Sequence, residues 1–568
     1  MASRIAEHRR VLWPLRAKSV QSEAEGLYTF LNQSIQLHAG GDFNSQDFNW
    51  RPKAPRLWLF HLQCMETMLE RCDQLSDEYA VAMVESWISE ANHRSPNLDV
   101  DAWHPFCISR RLPAWLSLEA VLSIPIPANS TFWLSVSAQS RWLSKNCEWD
   151  LGGNHLLENL TALYLCSGLL KESHAIEIET IERWLEKELT TQVLSSGEHF
   201  ERTPTYHTLM MVCVAQCLEV AIFAERQIAK SLTAYLKRMR DFVDWIRQPN
   251  GDIPILGDSA LDETPDLDHL LAWCDGLCFD ATKTSHQSTQ DSASPIAKDY
   301  WKAETRGGDQ LLFDVGEMAC DHLPAHGHAD LLQVVASFGG QAAIVDTGNA
   351  EYKPGDLRSR CRSTSAHNVM QLDSQELCDH WGSFRMGKRG HVVWKSCGRN
   401  DAVQWCAAKH DGFNAEAGRV ALCLKDVWFV VDWFRGKRDH TATSRMHLHP
   451  DFQPEEKQGG WMIRNKDDSS LCRFINVMGT ETSHRIEPSI YCPEFGCVLE
   501  SNVLIASTEP NRQGWIAFGF TANSNQTERV EISEYTSIKL DNNSLSIECG
   551  TGWMWRLVLD SNLVRLRS

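Results

Sequence analysis

The sequence predicts a multidomain protein with an all-α half followed by an all-β half. Apolar residues recur at helical spacing up to about residue 280, and strand-like runs separated by Gly, Asn and Asp turns recur from residue 310 onward. A polar segment between them has the composition of a linker. A chain of 568 residues is also too long to fold around one small hydrophobic core. We therefore predict a helical domain at 1–285, a linker at 286–300 and a β-sandwich domain at 301–568.

The helical half contains at least seven amphipathic segments separated by short polar or Pro-containing breaks. These predicted helices are Leu57–Arg71, Glu78–Ile88, Leu112–Ile124, His155–Lys171, Ile178–Val193, Tyr206–Phe223 and Ile228–Ile246. Such a succession indicates stacked helical hairpins, which either a closed toroid or a solenoid would satisfy. No fixed-period repeat selects the solenoid.

The second half is rich in short runs of strand-forming residues. The predicted strands are Leu311–Val315, Leu331–Phe338, His391–Trp394, Val427–Phe434, Thr441–His449, Trp515–Phe520, Ser537–Leu540, Ser544–Glu548 and Trp553–Leu559. Their spacing and turn residues are typical of a β-sandwich.

Composition narrows the possible partners and the compartment. A net charge of −19 and the lack of a basic run argue against binding nucleic acid. The basic N-terminus is not followed by the apolar core of a signal peptide, and no apolar run approaches the ~20 residues that span a bilayer. We expect a cytoplasmic protein without a membrane partner, with export by another route left open. The 19 scattered cysteines, without CxxC pairs, indicate reduced, mostly buried thiols.

An acidic protein that binds a polyanion needs a local basic patch. The candidate patch flanks His367 and consists of Lys353, Arg358, Arg360, Arg362, Arg385, Lys388 and Arg389. A solvated loop would show the same charges.

The segment from His326 to Asp330 is the strongest candidate for chemistry. Two imidazoles, His326 and His328, stand two residues apart and would point the same way in an extended segment. Gly339-Gly340 predicts a hairpin turn that carries Asp346 back toward them, and His367 follows. His328, Asp346 and His367 form a reasonable zinc set that leaves His326 for chemistry. Alone, each histidine would also fit an ordinary structural role.

A second polar cluster lies in the helical half. Asn154 and His155 precede an amphipathic segment, where Asn154 fits an N-cap. A polar loop from Glu198 to His207 contains Arg202 and Tyr206 and leads into the next helix. A tyrosine and a histidine at a helix start are common, so only a partner across a cleft would give them a chemical role.

Eight ordered segments in both halves carry a family resemblance: Pro55–Gln63, Trp103–Phe106, Gly153–Asn159, His199–His207, Gly251–Asp258, His326–Asp330, Val345–Gly348 and Arg362–Val369. Together they resemble the heparinase II/III superfamily of polysaccharide lyases, which includes oligoalginate lyases. The resemblance implies an incomplete (α/α) toroid followed by an antiparallel β-sandwich, with the cleft between them.

The resemblance also assigns roles to residues. It places the family's Asn-His pair at Asn154 and His155, its tyrosine at Tyr206 and its catalytic histidine at His326. In some alginate-cleaving relatives a further tyrosine precedes the final histidine motif, and Tyr352 occupies a comparable place.

The resemblance further implies a zinc ion held by His328, Asp346 and His367. This ion would be structural, fixing the β-sheet floor and thereby the direction of His326.

The implied reaction is β-elimination at a 4-linked uronate in a glycosaminoglycan-like or alginate-like glycan. It removes the C5 proton, which requires neutralisation of the adjacent carboxylate. Asn154 and His155 can donate hydrogen bonds to that carboxylate. Tyr206 would act as acid, and His326 or Tyr206 as base, depending on the uronate epimer. An arginine could assist, and the candidates are Arg202, Arg358 and Arg362.

Two alternatives keep the same residues. A uronate C5-epimerase would also abstract this proton but leave the C4 oxygen attached, and a non-catalytic glycan-binding protein of surface-polysaccharide metabolism would only bind. In each case the expected partner is an acidic polysaccharide or oligosaccharide, and an oligomer is compatible with the sequence.

Overall fold

The computed structural model describes residues 26–38, 47–70, 76–91, 100–170, 176–279, 299–305, 308–399, 403–424, 427–468, 470–521, 536–541, 544–549, 553–558 and 563–567. The basic N-terminal segment and most of the predicted linker lie outside these ranges. The described residues form two compact units. The first contains those of Met1–Ile246, Ser259–Thr289 and Glu494–Cys497, and the second those of Arg247–Asp258, Gln290–Pro493 and Val498–Ser568.

The first unit is helical. Its helices are α1 Arg56–Cys64, α2 Thr67–Glu70, α3 Asp77–Glu90, α4 Pro105–Val121, α5 Thr131–Leu143, α6 Gly153–Leu169, α7 Ile178–Gln192, α8 Pro204–Phe223, α9 Ala229–Ile246 and α10 Leu267–Cys278. A short hairpin of β1 (Leu27–Phe30) and β2 (Gln33–Gln36) precedes them. The helical half is therefore confirmed, although α5, α10 and the hairpin were not predicted.

Local sequence explains where these helices begin. Ser76 caps α3 by accepting a hydrogen bond from the Tyr79 amide, and Asp266 does the same for α10. The predicted start of α4 at Leu112 is wrong, because His104 caps the helix and Pro105 occupies its first turn.

Helix α8 is the most apolar helix of the described part. By length and composition it could cross a membrane, but 83% of its apolar window is buried inside the protein. A helix that packs against neighbours on several sides needs apolar residues all round, so its composition fits a core helix.

The second unit is built from antiparallel strands. They are β3 Tyr300–Glu304, β4 Gln310–Asp314, β5 Val334–Phe338, β6 Gln341–Ile344, β7 Met370–Leu372, β8 Asp379–Trp381, β9 Arg385–Gly387, β10 Val392–Arg399, β11 Val403–His410, β12 Glu416–Leu424, β13 Val427–His440, β14 Ala442–His447, β15 Phe452–Lys457, β16 Gly460–Asn465, β17 Cys472–Gly479, β18 Thr482–Tyr491, β19 Leu499–Thr508, β20 Asn511–Thr521, β21 Thr536–Asp541, β22 Ser544–Cys549, β23 Trp553–Val558 and β24 Leu563–Arg567. A short helix, α11 (Asp356–Arg362), lies between β6 and β7.

The three largest sheets formed by β3–β20 share a core. The largest has the order β10-β11-β12-β13-β20-β17-β16-β15, and two four-stranded sheets have the orders β18-β19-β14-β7 and β3-β4-β5-β6. The ring of Phe338 on β5 lies 6.1 Å from Trp428 on β13 and 6.2 Å from Phe520 on β20, centroid to centroid. This face-to-face packing confirms the α-then-β architecture, whereas closure of the helices into a toroid stays a prediction.

The turn that positions the histidine region was predicted correctly. Gly339 and Gly340 join β5 to β6 with φ angles of +54° and +85°, a left-handed pair that favours glycine. The segment from His326 to Asp330, in contrast, is a loop, so the expectation of a strand there is wrong. Most of the described cysteines are buried, as predicted.

Candidate active site

Both imidazoles of the His326-Gly-His328 segment converge on one buried carboxylate. Nδ1 of His326 lies 3.0 Å from Oδ2 of Asp258, and Nε2 of His328 lies 2.9 Å from Oδ1 of the same residue. The Asp258 amide also donates to the His326 carbonyl at 3.1 Å. The two rings therefore do share a direction, but a common hydrogen-bond acceptor rather than strand alternation provides it.

Asp258 is held ionised by its surroundings. Burial alone would raise the pKa of Asp258, but the Arg358 guanidinium and both histidines outweigh it and hold the pKa well below its usual range. Burial lowers the pKa of His328 to about 4, so that ring is neutral. Because an ionised carboxylate only accepts, Nδ1 of His326 carries a hydrogen, and the lone pair of the neutral ring is on Nε2.

Two buried arginines fix the surrounding backbone. Arg358 forms a bidentate pair with Asp258 and donates to the Ser383 carbonyl at 2.7 and 3.0 Å. Arg362 donates to the carbonyls of Gly327, Ser383 and Arg385 at 3.2–3.4 Å. These bonds tie the histidine loop to the β8–β9 hairpin.

The predicted basic patch is therefore only partly correct. Arg358 and Arg362 have no exposed surface, because Asp258 and backbone carbonyls surround their guanidinium groups. Arg389 is half-buried and donates to Cys320 and Asp321. The exposed cations of the predicted set are Lys353, Arg360, Arg385 and Lys388.

Tyr352 lies beside His326, where the family resemblance places a second tyrosine. Its ring centroid is 6.0 Å from that of His326, and Cζ of Arg358 is 5.1 Å from the Tyr352 ring. The structure therefore brings Tyr352 next to the candidate base.

The predicted zinc residues also lie together. Nδ1 of His367 lies 2.7 Å from Oδ2 of Asp346, and the rings of His367 and His328 are 5.3 Å apart. Burial alone would lower the pKa of His367, but the Asp346 carboxylate outweighs it and raises the pKa to about 9. The Gln333 amide group and the Gly348 amide also donate to Asp346.

Some of the side-chain atoms of His328, Asp346 and His367 are suited to bind a cation. Nδ1 of His328 and Nε2 of His367 are buried without a hydrogen-bond partner, and imidazole nitrogens are good zinc ligands. Oδ2 of Asp346 accepts from His367 and Gln333 and Oδ1 accepts from Gly348, so Asp346 orients His367 while Oδ1 keeps a second lone pair. Among the described residues no group of three or more His, Cys, Asp or Glu side chains has ligand geometry. Ligation by all three residues stays a prediction.

In the first unit, Asn154 lies in the first turn of α6. The N-cap is Gly152, whose φ of +69° favours glycine, so the interpretation of Asn154 as N-cap is wrong. Its backbone amide donates to Oε1 of Glu201 at 3.0 Å, which ties α6 to the loop before α8. The side chain is 2% exposed and makes no hydrogen bond within the described part of the chain. A buried amide in this state is suited to bind a ligand.

His155 is oriented by an acidic partner. Its Nδ1 lies 3.1 Å from Oε1 of Glu148, whose other oxygen accepts from the Asn159 amide group at 3.1 Å. Burial alone would lower the pKa of His155, but Glu148 outweighs it and raises the pKa above its usual value. His155 is therefore a good hydrogen-bond donor toward an anion.

Tyr206 lies in the first turn of α8 and is half-buried. Arg202, in the loop before it, has a left-handed backbone with φ of +55° and donates to Glu198 at 3.3 Å. The neighbouring His207 is buried, and burial lowers its pKa to about 4, so its role is structural. The chain thus turns Tyr206 and His207 in different directions.

Three acidic residues escaped the sequence analysis. Asp258 ends a segment that carries the family resemblance but received no role of its own, and Glu148 precedes its partner by seven residues with no motif between them. Glu158, one turn after Asn154 on α6, is 7% exposed, and its Oε2 has no hydrogen-bond partner. Burial raises the pKa of Glu158 to about 7. Together with Arg110, it lines a cavity of about 30 Å³.

Comparisons with known proteins cover both units. The "Heparinase II/III N-terminus" family model matches residues 66–273, and the "Heparinase II/III-like, C-terminal" model matches residues 300–533. No curated protein sequence matches the chain.

Solved structures share the fold. Heparinase III is 14% identical with a TM-score of 0.69, covering 100% of this chain and 94% of that one. A heparan sulfate lyase mutant from Pedobacter heparinus is 15% identical with a TM-score of 0.62, covering 98% and 90%. A chondroitinase AC lyase is 10% identical with a TM-score of 0.51, covering 100% and 90%.

Proposed function

The chain belongs to the heparinase II/III family of polysaccharide lyases, and from this we propose that it cleaves a 4-linked uronate glycan by β-elimination, leaving a 4,5-unsaturated uronate. The substrate class we propose first is a glycosaminoglycan, since the solved proteins that share the fold include heparan sulfate and chondroitin lyases. An alginate-like polymer is the second substrate to test.

The observation that carries the proposal is the hydrogen bond between His326 and Asp258. With Nδ1–H donated to an ionised carboxylate, Nε2 is the basic atom of the ring. This arrangement supports His326 as the base that takes the C5 proton, with Asp258 as a positioning residue. Tyr352, beside His326, is an additional candidate for proton transfer.

Two side chains of the first unit are suited to stabilise the negative charge that develops on the uronate carboxylate during proton removal. The Asn154 amide and the His155 imidazole are assigned to the uronate carboxylate, where donated hydrogen bonds favour the enolate. Tyr206 is assigned as the acid that protonates the leaving C4 oxygen, and for the other epimer as the base. Arg202 is close in sequence to Tyr206 and is the remaining cationic candidate.

We test this function with a panel of heparan sulfate, chondroitin, hyaluronan and alginate, following the ultraviolet absorbance of the conjugated uronate. Wild type and Tyr206→Phe are compared at matched concentration. An absorbance rise with one polymer that is lost in the variant supports the proposal. Deuterium uptake at C5 without cleavage would replace it with epimerisation, and binding without either reaction would replace it with a glycan-binding role.

We also propose that His328, Asp346 and His367 hold a structural zinc ion. When bound, the ion would fix the histidine loop. Elemental analysis of the purified protein should find about one zinc per chain, and His367→Ala should lose it and unfold at a lower temperature. A wild-type protein without metal, whose unfolding midpoint a chelator leaves unchanged, would contradict the zinc proposal.

A further inference from the structure

Two exposed aromatic residues flank the turn of the β8–β9 hairpin in the second unit. Trp381 is 50% exposed at the end of β8, and Phe384 is 42% exposed just before β9. Single exposed apolar side chains are ordinary on protein surfaces. Both rings belong to the short hairpin Asp379–Gly387, which we call the hairpin platform.

The hairpin platform adjoins the candidate base. The Phe384 ring centroid lies 5.9 Å from that of His326 and 5.0 Å from that of Tyr352. A sugar whose C5 proton reaches His326 therefore has its neighbouring residue within reach of the Phe384 face.

The hairpin platform is held rigidly. Arg358 donates to the Ser383 carbonyl at the tip of the turn and also pairs with Asp258, which holds His326. The Ser383 hydroxyl donates to the Tyr352 carbonyl at 2.5 Å. One buried arginine thus links the turn carrying Phe384 to the candidate base, and a rigid aromatic surface loses little entropy on binding.

The hairpin platform is also cationic at its edge. Arg385 pairs with Trp381 across the hairpin, and Lys388 follows β9; both side chains are exposed. Neither makes an ion pair with another described residue. In a protein of net charge −19, two cations without such a partner beside exposed rings suit an anionic ligand.

We propose that the hairpin platform is a sugar-binding subsite. Phe384, the ring nearest His326, packs against the apolar face of the pyranose next to the reacting uronate, and Arg385 contacts an acidic substituent of the bound chain. This inference rests on the proposed lyase function and adds where the neighbouring sugar binds.

The test compares Phe384→Ala and Phe384→Tyr with a distant control, Phe223→Ala, whose ring is 62% exposed at the end of α8. Phe384→Ala should raise KM for a long cleaved polymer about tenfold with little change in kcat, because a stacked ring contributes binding energy. Phe384→Tyr should restore KM. Arg385→Gln should raise KM about threefold and flatten its dependence on salt.

A second readout separates the two proposals. Affinity for an acidic oligosaccharide, measured by calorimetry in the His326→Ala background, should fall about tenfold when Phe384→Ala is added. If wild type cleaves a polymer but Phe384→Ala leaves KM and affinity unchanged, the subsite is overturned while the function stands. If wild type neither cleaves nor binds any polymer of the panel, the function fails and the subsite falls with it.

Discussion

The candidate residues of the second unit and those of the first unit differ in how much of their hydrogen-bonding capacity is used within the protein. In the second unit, Asp258 is fully buried and saturated by His326, His328 and Arg358. In the first unit, the Asn154 side chain has no hydrogen-bond partner within the described residues, and Tyr206 is half-buried. A buried amide with unmet hydrogen-bonding capacity, such as that of Asn154, is suited to contact substrate, whereas a saturated buried network orients and stabilises.

The largest effect should come from Tyr206→Phe. Loss of the hydroxyl removes the proposed acid, so kcat should fall about 10²- to 10⁴-fold. The free energy of unfolding should hardly change, because the ring remains. Tyr235→Phe, which removes an exposed hydroxyl bonded to Thr190, is the matched control and should keep full activity. A comparable loss of kcat in the control would refute a specific role for Tyr206.

Asp258→Asn should lower both activity and stability. The substitution leaves the buried Arg358 without its counter-charge, which costs about 3–5 kcal/mol of unfolding free energy. It also loosens His326, so kcat should fall in the fraction that remains folded. Denaturant unfolding measures the first effect and initial rates the second.

The control for Asp258 is Asp275→Asn, which breaks a more exposed pair with Arg240. That change should cost about 1 kcal/mol or less. Equal losses of stability at the two sites would remove the contrast between a saturated buried network and a surface pair.

Glu148→Gln should have a smaller effect, visible in the pH profile. The pKa of His155 is raised above 6.5 and the pKa of Glu148 is lowered below 4.5. The stabilisation that the His155–Glu148 pair gains from the raised pKa of His155 is therefore complete below pH 6.5 and is lost as the pH rises through that raised pKa. The stabilisation gained from the lowered pKa of Glu148 is complete above pH 4.5 and is lost as the pH falls through that lowered pKa.

In the Glu148→Gln variant, kcat/KM should fall about tenfold, because His155 loses the carboxylate that orients it. The alkaline limb of the wild-type profile, assigned to deprotonation of His155, should move to lower pH. A limb that stays in place would show that another group controls it.

The sequence predicted the elements that local pattern determines. The order of helices and strands and the Gly339-Gly340 turn follow from periodicity and from the left-handed backbone that glycine favours. The HxH spacing predicted two imidazoles that point the same way through strand alternation, but a loop carries them and their common acceptor is Asp258.

The partners of those imidazoles could not be predicted in the same way. Asp258 lies 68 residues before His326, and only tertiary packing brings the two together. Arg358 and Arg362 look like surface charges in sequence, and only the structure shows the carboxylate and carbonyls that make their burial tolerable. Charge pattern alone does not distinguish a solvated cation from a buried one.

The most direct test of β-elimination is the mass of the new non-reducing end formed from a cleaved polymer. Elimination through C5 proton removal should give a 4,5-unsaturated end that is lighter by one water than the saturated end left by hydrolysis. A saturated new non-reducing end would contradict the proposed reaction.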